Sequence, residues 1–292
     1  MENITRRNFI EKSAITGAGL LLAPSVVKAY QADADSPHVR KNNISLAQWA
    51  LVDEIRDGKW KTLDFAKVAR EDFGLDGIEF VNTLFEVPVL SYLNRLKRNA
   101  ADHGVEMVLI MVDDEGETCT PSAAERKQTV TNHKKWIDIA HYLGCHSIRT
   151  NCIGEKNISK TEALKWSAET YNMMLEYAVP ANIGILIENH GGVSNDPDWM
   201  VSLMKEVNSR YFGILPDWRR PGGDFDNYEY LKKTLPYAGG MSFRIQPTEE
   251  LTEKMIRLTH DSGFRGWYGI ESGGRENIKA SKEALLRYLP KS

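Results

Sequence analysis

The chain predicts a single (β/α)8 TIM barrel, and three observations carry that prediction. After Asn43, short apolar runs alternate eight times with amphipathic stretches. Glycines stand at the helix-to-strand junctions His103-Gly104, Leu143-Gly144 and Ser262-Gly263, where a left-handed cap returns the chain to the sheet. No G-x-G-x-x-G follows the first strand, which counts against an open dinucleotide-binding sheet. Regular alternation demands parallel strands joined by crossover helices, and eight units of this length favour closure.

The elements read as follows. Ile44–Trp49 is a strand. Leu63–Phe73 is a helix, with Leu63, Ala66, Lys67 and Arg70 at helical spacing. Gly77–Val81 is a strand, and Val89–His103 a helix closed by Gly104. Val105–Val112 is a strand that ends in the acidic run Asp113, Asp114, Glu115. Ser122 caps a long helix through Leu143, and Gly144 ends it. The remaining pairs are Cys145–Asn151 with Thr161–Tyr177, Ile183–Ile187 with Asp198–Val207, and Phe212–Leu215 with Tyr228–Leu235. Gly240–Ile245 with Glu249–Ser262, and Trp267–Ile270 with Ala280–Leu289, complete the eight.

Composition bounds the function. With 292 residues, 42% of them apolar, the chain can bury one core of barrel size. A net charge of −3 gives no electrostatic footprint for nucleic acid. The first 29 residues read as an address rather than as fold. Arg6-Arg7 precedes Phe9-Ile10, an apolar run from Ala14 to Ala23 follows, and Val27-Lys28-Ala29 offers small residues for cleavage. The expectation is a twin-arginine signal peptide over 1–29, a flexible mature N-terminus over 30–42 and the barrel over 43–292. The twin-arginine export machinery is then a partner, and the location is periplasmic. Cys119, Cys145 and Cys152 allow one disulfide with one thiol left over, and Cys145 reads as a core residue.

The stretch Ile185-Leu186-Ile187-Glu188-Asn189-His190-Gly191-Gly192 organises the functional reading. An apolar strand ends in Glu, Asn and His, and two glycines then let the backbone turn and leave room for a ligand. Tyr268 to Gly274 repeats the pattern around Glu271. In a barrel the C-terminal strand ends form the catalytic mouth. In chain order they offer Gln48 and Trp49, Glu79 and Asn82, Asp113 and Glu115, and Arg149 and Asn151. Glu188 and His190, Asp217, Arg244 and Gln246, and Glu271 follow. Glu188, Asp217 and Glu271 make an oxygen-rich set, and converging carboxylates repel unless a cation joins them or one is protonated. Such a set suits Mn, Mg or Ca, and a nearby His or Gln extends it to Co or Zn. Trp49 and Trp218 are candidates to stack on a substrate face. Arg219 and Arg220 are candidates for an anionic group. Glu79 is a candidate orienting residue.

These residues resemble the xylose isomerase-like (sugar phosphate isomerase/epimerase) TIM barrels over essentially all of Asn43–Leu289. The likeness lies in Ser45–Trp49, Leu143–Asn151, Ile187–Gly192, Leu215-Pro216-Asp217 and Gly269-Ile270-Glu271, and is strongest to the exported branch. It implies a divalent metal at the mouth, held by Glu188, Asp217 and Glu271. The resemblance puts a metal-binding histidine near Ser242 and a lysine near Arg244, so the fourth ligand is open among Gln246, His190 and water. It also implies proton abstraction next to a carbonyl of a carbohydrate. Glu188 and Glu271 would be the acid/base pair, on opposite sides of the mouth. A metal, or Arg149 and Arg244, would hold the enediolate. Asn151, His190 and Gln246 would bind sugar hydroxyls, with Trp49 beside them. Three readings stay open: a sugar isomerase or epimerase, a 3-keto-glycoside lyase or hydrolase on the same site, and a non-catalytic sugar-binding barrel. An abasic-site endonuclease would need more strand-end histidines than this chain has. No nucleotide cofactor is expected, and relatives suggest a homodimer.

Overall fold

The computed structural model describes residues 43–154, 157–219 and 225–290. The expected leader, the segment over 30–42 and Arg220 lie outside the described residues. The strands are β1 (Ile44–Ala47), β2 (Gly77–Val81), β3 (Glu106–Met111), β4 (Ser147–Asn151), β5 (Gly184–Glu188), β6 (Phe212–Leu215), β7 (Met241–Phe243) and β8 (Tyr268–Ile270). The helices between and after them are α1 (Phe65–Phe73), α2 (Leu90–Asp102), α3 (Ala123–Leu143), α4 (Lys160–Ala178), α5 (Pro197–Val207), α6 (Asn227–Thr234), α7 (Glu249–Asp261) and α8 (Arg275–Tyr288). A short helical segment, Val52–Arg56, precedes α1. Among the described residues, no helix is long and apolar enough to cross a membrane.

All ladders are parallel, in the order β6-β5-β4-β3-β2-β1-β8-β7. The seam between β6 and β7 closes through bridges rather than a full ladder. Ser242 N–H donates to the Pro216 carbonyl at 3.0 Å, and Trp218 N–H to the Ser242 carbonyl at 2.9 Å. Pro216 has no N–H to give a regular ladder, so pairing there is broken just where Asp217 and Ser242 meet.

Period-two alternation then sorts the side chains. Ile185 and Ile187 of β5 pack outward against the helices, while Leu186 and Glu188 face the barrel interior. The interior holds Ala47, Val81, Leu109, Met111, Leu186, Leu215 and Trp267, topped by polar residues at the strand ends. The long helix α3 starts and stops where the sequence predicts. Ser122 accepts from Glu125 N–H at the start of α3, and Gly144 takes a left-handed conformation at its end. Ser159 and Glu162 form a capping box on α4.

Several boundaries differ from expectation. β1 stops at Ala47, and Gln48–Leu51 forms a 3-10 turn that carries Trp49. β7 is only Met241–Phe243, so the chain has left the sheet before Gln246. α8 begins at Arg275, earlier than Ala280, because its first turn is polar and shows no apolar periodicity. Cys119, Cys145 and Cys152 are free and buried, so the expected bridge is not formed. Cys119 and Cys152 lie together beside Glu117, within 4.8 Å.

Candidate active site

The three expected carboxylates meet. Glu188 ends β5, Asp217 follows β6 and Glu271 follows β8, and one oxygen of each lies within 4.8 Å of the others. All three are buried. Glu188 and Glu271 therefore reach one small volume. Two guanidinium groups neutralise the set in part. Arg149 Nε lies 2.9 Å from Glu188 Oε2, without the alignment of a hydrogen bond. Arg244 Nε donates to Asp217 Oδ1 at 2.8 Å, and its Nη2 lies 3.0 Å from Glu271 Oε1. Ser242 Oγ donates to Glu271 and lies 3.4 Å from Asp217 Oδ1.

The backbone is pinned around this cluster. Asn189 donates to the Asp217 carbonyl at 3.0 Å and accepts the Asp217 N–H at 2.7 Å. The two glycines after His190 both have positive φ. A Cβ on Gly192 would sit 1.8 Å from the Ile153 carbonyl oxygen, so the turn after β5 admits no side chain there. Beneath the cluster, Glu79 is buried, accepts from Ser45 Oγ at 2.6 Å, and leaves Oε2 without a partner. Gly269 on β8 makes room for it, since a Cβ there would lie 2.3 Å from both Glu79 carboxylate oxygens.

Burial and neighbours push the carboxylates apart in acidity. Burial raises Glu188, but the Arg149 guanidinium and His190 outweigh it and hold the acid at about 2. Burial lifts Glu271 to about 7 against the pull of Arg244, with Glu188 and Asp217 adding to the rise. Asp217 is likewise raised by burial. Glu79 is pushed up to about 8 by burial, against the Ser45 hydrogen bond.

A cavity of about 730 Å³ opens beside the cluster, lined by Trp49, Asp53, Glu54, His190, Arg244 and Glu271, among others. Trp49 and His190 thus stand at the cavity wall. His190 is 48% exposed, 3.7 Å from Glu188 Oε2, and its imidazole is raised by that carboxylate. Arg149 and Asn151 are near the site but occupied. Arg149 Nη1 donates to Asp113 Oδ1 at 2.5 Å and Asn151 Nδ2 to the same oxygen at 2.8 Å. Arg149 is almost fully buried.

Two expected contacts are not made. Gln246 is buried, donates to the carbonyls of Trp218 and Arg244, and accepts from Asn227 at 2.8 Å. With its amide spent on these three partners, it ties the β6 and β7 loops together. Trp218 is buried against Phe243, with ring centroids 4.9 Å apart, so it is core rather than a stacking platform. Arg219 lies over the Phe225 ring. Sequence reasoning missed the clamping role of Asn189 and the pairing of Glu79 with Gly269. The first has a visible signal, an amide directly after a strand-end Glu; the second needs the register of β8 on β1 and β2.

The donor set fits a hard divalent cation. Three carboxylates converge, and with Asp113 four face two guanidinium groups, which leaves negative charge in excess. The histidine expected near Ser242 is replaced by a hydroxyl that touches two of the three carboxylates.

The family model described as "Xylose isomerase-like TIM barrel" matches residues 66–219, more than half of the chain. The chain belongs to the xylose isomerase-like TIM barrel family. The match includes Glu188 and Asp217 and stops before Arg244 and Glu271. Comparison with curated proteins finds no match. Among solved structures the barrel is similar to a D-tagatose 3-epimerase-like protein, at TM-score 0.68 and 17% identity, covering 84% of this chain and 96% of that one. It is also similar to IOLI protein with a bound zinc atom, at TM-score 0.67 and 14% identity, covering 85% and 99%. A third likeness is to 3-keto-D-glucoside 4-epimerase from E. coli, at TM-score 0.64 and 12% identity, covering 85% and 99%. At these identities the likeness is one of fold.

Proposed function

We propose that this barrel is a sugar isomerase or epimerase that removes a proton next to a carbonyl. The observation that carries the reading is the meeting of Glu188, Asp217 and Glu271 with Arg149 and Arg244 beside an open cavity. Enolisation needs a base, an acid and fixed positive charge for the enediolate. Glu271 lines the cavity and its acidity of about 7 lets it take or give a proton near neutral pH. Glu188, held as an anion by Arg149, is the partner base. Arg244 reaches the cavity and offers a charge that never dissociates to the developing oxyanion. Arg149 adds charge from beneath, and His190 and Trp49 bind the sugar. Glu188, Asp217 and Glu271 would hold a divalent cation such as Mn, Mg, Co or Zn, which supplies Lewis-acid stabilisation of the enediolate when bound. The epimerase titles among the similar folds and the zinc in one of them favour this assignment. The twin-arginine pattern supports action on a periplasmic carbohydrate.

The test is a panel of aldoses, ketoses and keto-glycosides incubated in deuterated water, with and without chelator, and read by NMR and mass spectrometry. Deuterium at the carbon beside the carbonyl, with isomerised product, is the expected result. Deuterium with loss of the aglycone would assign the lyase or hydrolase chemistry instead. No exchange with any member would reduce the barrel to a sugar-binding protein.

A further inference from the structure

We propose that Arg244 sets the cation affinity of the carboxylate cluster by competing, as a built-in cation, for Asp217 and Glu271. This deepens the reading of the cluster as a cation site. The guanidinium is held by three nitrogens: Nε on Asp217 Oδ1 at 2.8 Å, Nη2 on Glu271 Oε1 at 3.0 Å and Nη1 on the Glu271 carbonyl at 2.6 Å. A side chain fixed at three points and only 19% exposed is part of the site's architecture, not a loose arm over it. Ser242, two residues earlier on the same inward face of β7, spends its hydroxyl on the same two carboxylates. Asp217 and Glu271 therefore each have donors on them from this chain, while Glu188 has Arg149.

Two physical effects follow. Lone pairs committed to N–H donors are not available to an ion unless the guanidinium moves. A fixed positive charge within hydrogen-bonding distance of the ligands also repels an incoming dication, strongly where burial limits screening. Arginine stays protonated throughout the accessible pH range, so neither effect is relieved by raising pH.

The test is titration of the chelator-treated full chain with Mn²⁺ and Zn²⁺, followed by calorimetry and by the free Mn²⁺ paramagnetic resonance signal. Arg244→Gln keeps hydrogen-bonding capacity without charge, and Arg244→Met removes both. Arg244→Lys keeps the charge, and circular dichroism checks the fold of each. The expected result is that Arg244→Gln binds Mn²⁺ at least about 10-fold more tightly than the native chain, with Arg244→Lys near native. Should Arg244→Met misfold, the Gln and Lys pair still decides the matter. Unchanged or weaker binding in Arg244→Gln would overturn the proposal, as would a native chain that keeps a stoichiometric ion through the chelator. The titration reads ion binding without turnover, so a barrel that enolises no sugar still returns an answer about Arg244.

Discussion

Two corners of the barrel rim are built with the same device and put to different uses. At the first, Asn82 donates to the Asp113 carbonyl and accepts the Asp113 N–H, both at 2.8 Å. At the second, Asn189 does the same for Asp217, at 3.0 and 2.7 Å. Each asparagine follows a strand and pins the second residue beyond the next strand's end. The side chains so placed differ in what surrounds them. Asp113 accepts from Arg149, Asn151 and, at 3.3 Å, Trp49, so it is a closed polar joint. Asp217 faces Glu188 and Glu271, and burial raises its pKa. At one corner the carboxylate closes a polar joint; at the other it adds to a cluster of three buried carboxylates that Arg244 neutralises only in part. Clamp geometry alone therefore does not mark a functional carboxylate. Charge surplus does.

The largest expected effect lies at the second corner. Glu188→Gln and Glu271→Gln should each slow deuterium exchange into substrate by roughly 10²- to 10⁴-fold, the usual worth of a positioned acid or base. Wild-type exchange rates in both variants would remove the acid/base assignment and leave the contrast between corners without a functional meaning.

Asp217→Asn and Asp113→Asn then separate the two uses directly. Asp217→Asn deletes a charge from a crowded anionic cluster, so exchange should fall while stability to urea changes by less than about 1 kcal/mol. Asp113→Asn takes a carboxylate from the buried Arg149, which should cost about 1–3 kcal/mol of unfolding free energy. The reverse ranking in urea would mean that the joint and the reactive corner have been confused. A symmetrical effect, of the same order as that of Asp113→Asn, should come from the clamps themselves. Asn82→Ala and Asn189→Ala each delete two hydrogen bonds, at about 1 kcal/mol apiece. Similar losses in the two variants would confirm that the clamps are equivalent.

Much of this was legible before coordinates, and the rest was hidden for identifiable reasons. The barrel, its eight strands and the three late carboxylates follow from periodicity and from Glu or Asp placed directly after apolar runs. Gln246 shows that position at a strand end does not fix the direction of a side chain. β7 ends at Phe243, Arg244 still follows the inward alternation, and by Gln246 the backbone has turned so that the amide meets Trp218 and Asn227 partners. Trp218 was misassigned for a related reason: next to Asp217 in sequence, it points the other way, into the packing around Phe243. Ser242 shows the limit of motif transfer. A missing ligand is visible in sequence, but the pairing of its replacement with Arg244 on the same two carboxylates is not.

Glu79 supplies the smallest effect and a third point for the comparison: a carboxylate with neither a clamp nor a guanidinium in contact. Burial pushes its pKa up to about 8 in the folded chain, above its ordinary 4.5. Between those values the folded state holds a proton that the unfolded state has released, so stability falls as pH rises from about 4.5 and levels off above about 8. Glu271, at about 7, adds a slope of the same sign over a narrower range. Glu188, held at about 2, acts only below 4.5 and with the opposite sign, its contribution being lost as pH falls. Glu79→Gln keeps the shape beside Gly269 and the contact with Ser45 but cannot ionise. Thermal melts should therefore show little change at pH 5 and a gain of roughly 2–4 °C at pH 9, about what 1 kcal/mol gives in a chain of this size. Part of the alkaline decline should persist in the variant, because Glu271 still titrates. A melting profile with the same pH slope as the native chain would show that Glu79 is ionised in the folded barrel, its charge met by Arg149 across the interior.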